Sequence, residues 1–285
     1  MRRLKIEHLT TYQFGHPVEL GQHKLHVRPR EGHDVRIESS QLRIGPAHEV
    51  RWHRDFYGNS VAIVDFLESA SNLTIASEVV IQHFNENPHD FLVEPWAVNY
   101  PFEYPLDECT DLAPYRQLGY PADWNAGSDW VARFWRRGLV VPTFTLLDLI
   151  NQVISREFTY AERHEEGVQS PMETLRRRSG SCRDFATLFM ETCRALAMPA
   201  RFVSGYLCGP SITHVGGATH AWAEIYLPGA GWRGFDSTSG EMTGSSHIAA
   251  AVSRHPQGVP PVSGSFTGPA GAPPQLLVGV RTTVL

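Results

Sequence analysis

The sequence predicts an α+β protein: an antiparallel β-sandwich first, then helices, then a second antiparallel sheet. Three observations predict it. Across residues 4–84 short apolar/polar alternations recur between Gly, Pro and Asn turn signals without a helical period, the texture of a sandwich or barrel. Helical periodicity then dominates as far as Leu196, and alternation returns from Ala200 onward. A chain of 285 residues can form one large domain or two ordinary ones. The change of texture divides it into a β-rich domain, 1–88, and a second domain, 89–285, that includes a connector over 89–121.

The first domain reads as strands over residues 4–14 and 18–28, on either side of a turn at Gly15-His16-Pro17. Strands at Ile37–Ile44, Val50–Phe56, Ser60–Phe66 and Leu73–Phe84 follow, with turn signals at Gly32-His33-Asp34, Gly45-Pro46 and Gly58-Asn59. No nucleophile, base and acid cluster here. His8 and Asp55 read as satisfied polar residues, and the domain is expected to serve packing, substrate positioning or assembly. From Asn85 to Pro121 repeated prolines break regular structure, yet Phe91, Trp96, Tyr100, Phe102 and Tyr104 need burial. A free linker would be poor in aromatics, so this stretch is an ordered connector packed between the domains.

The helical part opens at Ser128–Arg137, with Trp130, Val131, Phe134 and Trp135 at helical spacing; both tryptophans read as core residues. Thr143–Glu157 carries an amphipathic stripe of Leu146, Leu147, Ile150, Val153 and Ile154. Ser170-Pro171-x-Glu173 has the N-cap, the N1 proline and the N3 glutamate of a helix start. This short helix leads into Ser179-Gly180-Ser181-Cys182-Arg183-Asp184-Phe185. Apolar residues at Phe185, Leu188, Phe189, Cys193 and Leu196 then mark one face of a helix, and Ser181-x-x-Asp184 reads as a capping box. Cys182 therefore falls at the first helical position, beside unpaired backbone N–H groups and the positive end of the helix dipole. That environment favours thiolate over thiol, the better nucleophile.

Ala200–Leu207 reads as a strand and Gly209–Thr219 as a Gly-rich loop able to shape a cleft. His220-Ala221-Trp222-Ala223-Glu224-Ile225-Tyr226 alternates like a strand. Pro228–Gly231 is a turn, and Trp232–Asp236 returns. Residues 256–274 are an irregular surface stretch, and Leu276–Leu285 is a closing strand. A cysteine at a helix start, a histidine on a strand and an acid on the next strand form a Cys-His-Asp arrangement: the histidine takes the thiol proton and the carboxylate fixes the ring. The geometry is constrained further. If Leu227 pairs with Gly231, positions opposite one another sum to 458, and Asp236 sits one diagonal step from His220 on the same face. A one-residue slip would turn Asp236 away, so the chemistry predicts an odd-numbered turn, Pro228-Gly229-Ala230.

Three ordered motifs carry a family resemblance: Gly180-Ser181-Cys182-Arg183-Asp184-Phe185-Ala186, Thr219-His220-Ala221-Trp222-Ala223-Glu224 and Gly231-Trp232-x-Gly234-Phe235-Asp236-x-Thr238. They resemble the core motifs of bacterial transglutaminase-like proteins, often described as cysteine proteases. The resemblance extends to Ser170–Leu175, and to His8-x-Thr10-x-Tyr12, Arg28-Pro29-Arg30 and Asp55-Phe56-Tyr57-Gly58-Asn59, which look like the β-rich N-terminal domain accompanying this core in bacteria. It implies a papain-like core with Cys182, His220 and Asp236 as the catalytic triad. Two stretches depart from the pattern. Ser237-Thr238-Ser239-Gly240 stands where the family commonly has Pro-Thr-Asn-Gly, and Ser253-Arg254-His255-Pro256 replaces a commoner Gly-Arg-Asp-Tyr.

Composition narrows the function. Net charge is −5 and no long basic block is present, which argues against nucleic acid; Arg176-Arg177-Arg178 suits a helix C-terminus. No signal-peptide core and no membrane-length apolar run is visible, so the expectation is a cytoplasmic protein without a membrane partner. The four cysteines, Cys109, Cys182, Cys193 and Cys208, make no C-x-x-C pair, and disulfides are not expected. The fourteen histidines lack zinc-site spacing and no EF-hand loop is present, so neither metal nor cofactor is expected. The expected function is a thiol acyl-transfer enzyme acting on a protein or peptide amide. Water as acceptor makes a peptidase or amidase, the favoured reading; an amine makes a transglutaminase. The rival from another class is a non-catalytic scaffold retaining the fold. The backbone N–H of Cys182 can serve an oxyanion hole, with Tyr160 as a candidate second donor.

Overall fold

Along Ala70–His83 every second residue from Leu73 to His83 is buried, so one face of this strand lies on a core and the other is partly wet. The computed structural model describes the whole chain except residues 85–86, 126–127, 164, 209–218 and 270–272. Ala70–His83 sits between Arg2–Leu20 and Val35–Gly45 in the first sheet of the N-terminal sandwich. Val262–Ser263, His23–Leu25, Ser60–Phe66 and His48–Arg54 form the second sheet. Phe14, Val18, Leu25, Val27, Ala62, Val64, Leu73 and Ile75 fill the space between them.

The structure alters three sequence-based readings in this half. Gly15-His16-Pro17 does not reverse the chain. Arg2–Leu20 is one strand, paired with Ala70–His83 on both sides of a register shift between Gln13 and Val18. Pro17 lies within that irregularity, where the ladder asks for no N–H from it. Only His23–Leu25 of the expected 18–28 strand remains a separate strand. The closing strand, Gln275–Val284, pairs with Arg2–Leu20 from Leu4↔Val284 to Gln13↔Gln275. The first sheet therefore crosses the linear division at residue 88, because the chain's last strand completes the N-terminal layer.

The second half packs the helices Thr143–Glu157 and Cys182–Ala195 against a five-stranded antiparallel sheet, with Pro171–Arg177 lying on Cys182–Ala195. Its order is Glu241–Met242, Gly231–Asp236, His220–Leu227, Ala200–Leu207, His247–Ser253. Thr143–Glu157 forms as the stripe predicts, with Leu146, Leu147, Ile150 and Ile154 buried. The helix at Ser128 ends at Ala132, short of Arg137; the chain then turns toward Gly138, whose φ of 94° suits glycine. The connector is less irregular than its prolines suggest. It contains a helix, Leu106–Arg116, with Pro105 at its N-cap and Pro114 in its last turn.

That connector changes the surroundings of the cysteine helix. Alternation of apolar residues predicts one buried face, yet every residue from Asp184 to Arg194 is buried. Glu191 and Arg194 form an ion pair of 2.7 Å, buried on both sides. Glu191 also accepts from the Gly119 and Tyr120 N–H groups, and Arg194 donates to the carbonyls of Tyr115, Ala200 and Arg254. Burial of such a pair is tolerable because its remaining donors and acceptors are satisfied.

The two halves are docked by backbone-like hydrogen bonds. Asn59, wholly buried, donates to Val252 O at 2.8 Å and accepts from Val252 N at 2.9 Å, so its amide acts as an extra residue on the edge strand His247–Ser253. Asp55 orders the Asn59 turn by accepting from the N–H groups of Tyr57 and Asn59. His8 is likewise satisfied, by Thr10 Oγ1 at 2.9 Å and the Tyr206 hydroxyl at 3.1 Å. Both residues are structural, as their sequence context suggests.

Candidate active site

The chain enters the cysteine helix under tight restraint. Ser179–Gly180 pairs in parallel with Thr159–Tyr160. Asp184, completely buried, accepts from the Ser181 backbone N–H and hydroxyl, both at 2.8 Å. It also accepts from the Gln169 N–H at 2.7 Å and from Arg163 at 2.8 Å. A Cβ at position 180 would lie 2.8 Å from Asp184 Cβ, so glycine is what lets this carboxylate close on the loop. The result is a fixed helix start with Cys182 as its first residue, half-buried and not in a disulfide.

The hairpin that follows has the register the chemistry requires. Leu227 pairs with Gly231, and the ladder runs through Tyr226↔Trp232 and Glu224↔Gly234 to Ala223↔Phe235, every pair summing to 458. Gly229 and Gly231, at φ 81° and 73°, take the left-handed conformations of the tight turn. His220 Nε2 lies 2.9 Å from Asp236 Oδ2, with both residues buried. The Thr238 N–H donates to the other carboxylate oxygen at 2.9 Å. With Nε2 engaged by Asp236, the ring's Nδ1 is left for the Cys182 thiol, the second group that acts on the imidazole.

Burial alone would lower the His220 pKa. The hydrogen bonds to Asp236 and Cys182, with the attraction of the same two groups, outweigh it and push the imidazole up to about 10. Burial likewise would raise Asp236, but hydrogen bonds from His220 and His247 hold it well below the usual carboxylate range. The two groups are one coupled pair, each favouring the charged form of the other.

The other cysteines stand apart. Cys193 is enclosed in the core, and burial pushes its thiol far up. Cys208 is buried beside the N-terminal sheet, and the Cys109 thiol donates to Tyr104 O at 3.3 Å. Trp130 and Trp135 spend their indole N–H groups on Thr192 Oγ1 and Leu139 O, which leaves neither for an oxyanion. Tyr160 lies near enough to act electrostatically with Cys182; its phenol is pushed up to about 12, first by burial and then by Cys182. Residues 209–218 of the loop expected to shape a cleft lie outside the described residues.

Sequence reasoning misses His247. Its Nε2 lies 3.2 Å from Asp236 Oδ2, the same oxygen that His220 uses. His247 opens a strand two places away from the His220 strand in sheet order, so no local spacing announces it. His220, Asp236 and His247 offer three potential metal-ligand atoms within 4.8 Å, and each of those atoms is engaged in these hydrogen bonds. Behind them lies a polar cavity of about 250 Å³ between the two halves, lined among others by Arg30, Arg201, Trp222, Glu224 and His247.

Comparison with known proteins finds transglutaminase-like relatives. Residues 4–82 match the family model for the bacterial transglutaminase-like N-terminal region, and residues 141–237 match that for the transglutaminase-like superfamily. The second match spans Cys182, His220 and Asp236. An uncharacterized protein of Mycobacterium tuberculosis is 27% identical over 279 residues, covering 92% of this chain and 87% of its own. An uncharacterized protein of Mycobacterium leprae is 22% identical over 274 residues, covering 94% of each. The crystal structure of a proposed cysteine protease from Cytophaga hutchinsonii superposes with a TM-score of 0.73 at 19% identity, covering 100% of this chain and 91% of that one. At that identity the likeness shows the fold.

Proposed function

We propose that this chain, which belongs to the transglutaminase-like superfamily and carries the bacterial transglutaminase-like N-terminal region ahead of its core, is a thiol enzyme that cleaves amides of proteins or peptides. One observation carries the reading: the buried His220–Asp236 contact of 2.9 Å, with the Cys182 thiol as the imidazole's other partner. With the thiol proton already on His220, whose imidazole is pushed up to about 10, Cys182 Sγ attacks the amide carbonyl carbon. The carbonyl oxygen becomes an oxyanion beside the Cys182 N–H, one of the unpaired donors of the helix start. The C–N bond then breaks, His220 protonates the departing amine, and a thioester remains. Water attacks the thioester, gives a proton to His220, and the C–S bond breaks to release the acid. Asp236 holds the ring and stabilises the imidazolium throughout.

Incubation with a library of peptide amides, with and without a primary amine, followed by mass spectrometry, tests this reading. Hydrolysed product that forms with the parent and not with Cys182→Ala is expected. Amine-bearing product in place of acid would move the protein to the transferases. Equal turnover by Cys182→Ala and the parent would remove the assignment.

A further inference from the structure

The structure assigns His247 as a positioning residue that completes a Cys182–His220–Asp236–His247 tetrad: its imidazole N–H holds the same Asp236 carboxylate oxygen that His220 uses. This inference rests on the thiol-enzyme reading above. Three observations carry it. First, the Gly244 backbone N–H points at His247 Nδ1 from 3.3 Å, and the Ser246 hydroxyl lies 3.2 Å from the same atom. A backbone N–H can only donate, so Nδ1 accepts and Nε2 carries the proton. Nε2 then donates to Asp236 Oδ2 at 3.2 Å.

Second, the ring is clamped. Trp222 meets it edge to face at 5.3 Å between centroids. Gly205 makes room for that indole, since a Cβ there would lie 2.6 Å from Trp222 Cη2 and 2.3 Å from Ile248 O. Third, the His247 side chain is 8% exposed, and the titratable groups acting on Asp236 are His220 and His247. With both histidines on Oδ2 and the Thr238 N–H on Oδ1, the carboxylate has no free rotation about its own axis. It therefore presents one fixed oxygen to His220. A positioned acid of this kind keeps the imidazole aimed at the thiol, the role that second-shell partners play for other catalytic ligands.

The test is iodoacetamide alkylation of Cys182 as a function of pH, read by mass spectrometry of the Cys182 peptide, for the parent, His220→Ala, His247→Leu and His247→Gln. Slower alkylation in His220→Ala comes first as the check on the thiol-enzyme reading; if that variant matches the parent, the reading itself fails. Given that slowing, His247→Leu is expected to alkylate about tenfold more slowly, the worth of one hydrogen bond to a charged group. Its acid limb is expected to move to higher pH, because Asp236 has lost a partner that favours its charged form. His247→Gln keeps an N–H donor and is expected to restore most of the rate. A His247→Leu profile identical to the parent's overturns the tetrad and leaves the triad standing. Should the variants not fold, nitrogen-15 spectra of histidine-labelled parent protein decide. A protonated Nε2 with a bare Nδ1 on His247 supports the tetrad, and a proton on Nδ1 overturns it.

Discussion

At the scale of single residues, the proposed active site rests on Cys182, His220 and Asp236. Cys182→Ala is expected to lower turnover about 10³-fold or more while melting near the parent temperature, because the thiol sits at the helix start and outside the apolar stripe. Loss of folding in that variant, seen by circular dichroism, would count against this placement. Asp236→Asn removes the group that most raises His220. The imidazolium, pushed up to about 10 in the parent, then gives up its proton at lower pH. The alkaline limb of the kcat/KM profile is expected to move down toward the ordinary histidine range; an unmoved limb would contradict the pair. These three residues were legible in the sequence because each lies in a strong local signal: a capping box, a strand opening, and a hairpin with a fixed sum. His247 was not. Its partner is reached across sheet order, and sequence spacing says nothing of which strands become neighbours.

Elements show the same division between local and distant causes. The helix Thr143–Glu157 and the strand Ala200–Leu207 have the bounds that their periodicity gives, since burial on one face and period agree. The cysteine helix departs from its pattern because Leu106–Arg116 and the loop after it cover the face that polar residues such as Glu191 would otherwise show to water. The turn read at Gly15-His16-Pro17 fails for a related reason: a proline marks a break in the ladder, and a break can be a register shift as well as a reversal. One prediction belongs at this scale. Gly205→Ala puts a Cβ 2.3 Å from Ile248 O, a backbone atom that cannot swing away. A loss of roughly 1–3 kcal/mol in stability is expected from such overpacking. Turnover should fall further than stability alone explains, since Trp222 must shift off His247; denaturant titration beside kcat separates the two.

In the whole molecule, the N-terminal sandwich is the wall against which the five-stranded sheet packs. Leu4, Ile6, Val79 and Ile81 pack on Tyr206, Ile248 and Ala250, and Asn59 closes the edge strand that begins with His247. Asn59→Ala would leave the buried N–H and C=O of Val252 unpaired, at about 1–3 kcal/mol for each group. A drop of roughly 2–6 kcal/mol in unfolding free energy is expected from urea titration. A change below about 0.5 kcal/mol, the size of an ordinary surface substitution, would show that the contact does not dock the halves. The Asp55–Asn59 stretch was visible in the sequence as part of a family resemblance, but its purpose was not, because the groups it satisfies lie far downstream.

The central claim is that His220 activates Cys182, and competitive alkylation within one molecule tests it most directly. Cys109 is also half-buried and has no histidine partner among the described contacts, so it serves as an internal reference thiol. Limiting iodoacetamide at about pH 6 should label Cys182 well ahead of Cys109 in the parent, and the lead should vanish in His220→Ala. Equal labelling of the two thiols in the parent, or a Cys182 lead that survives His220→Ala, would contradict the account.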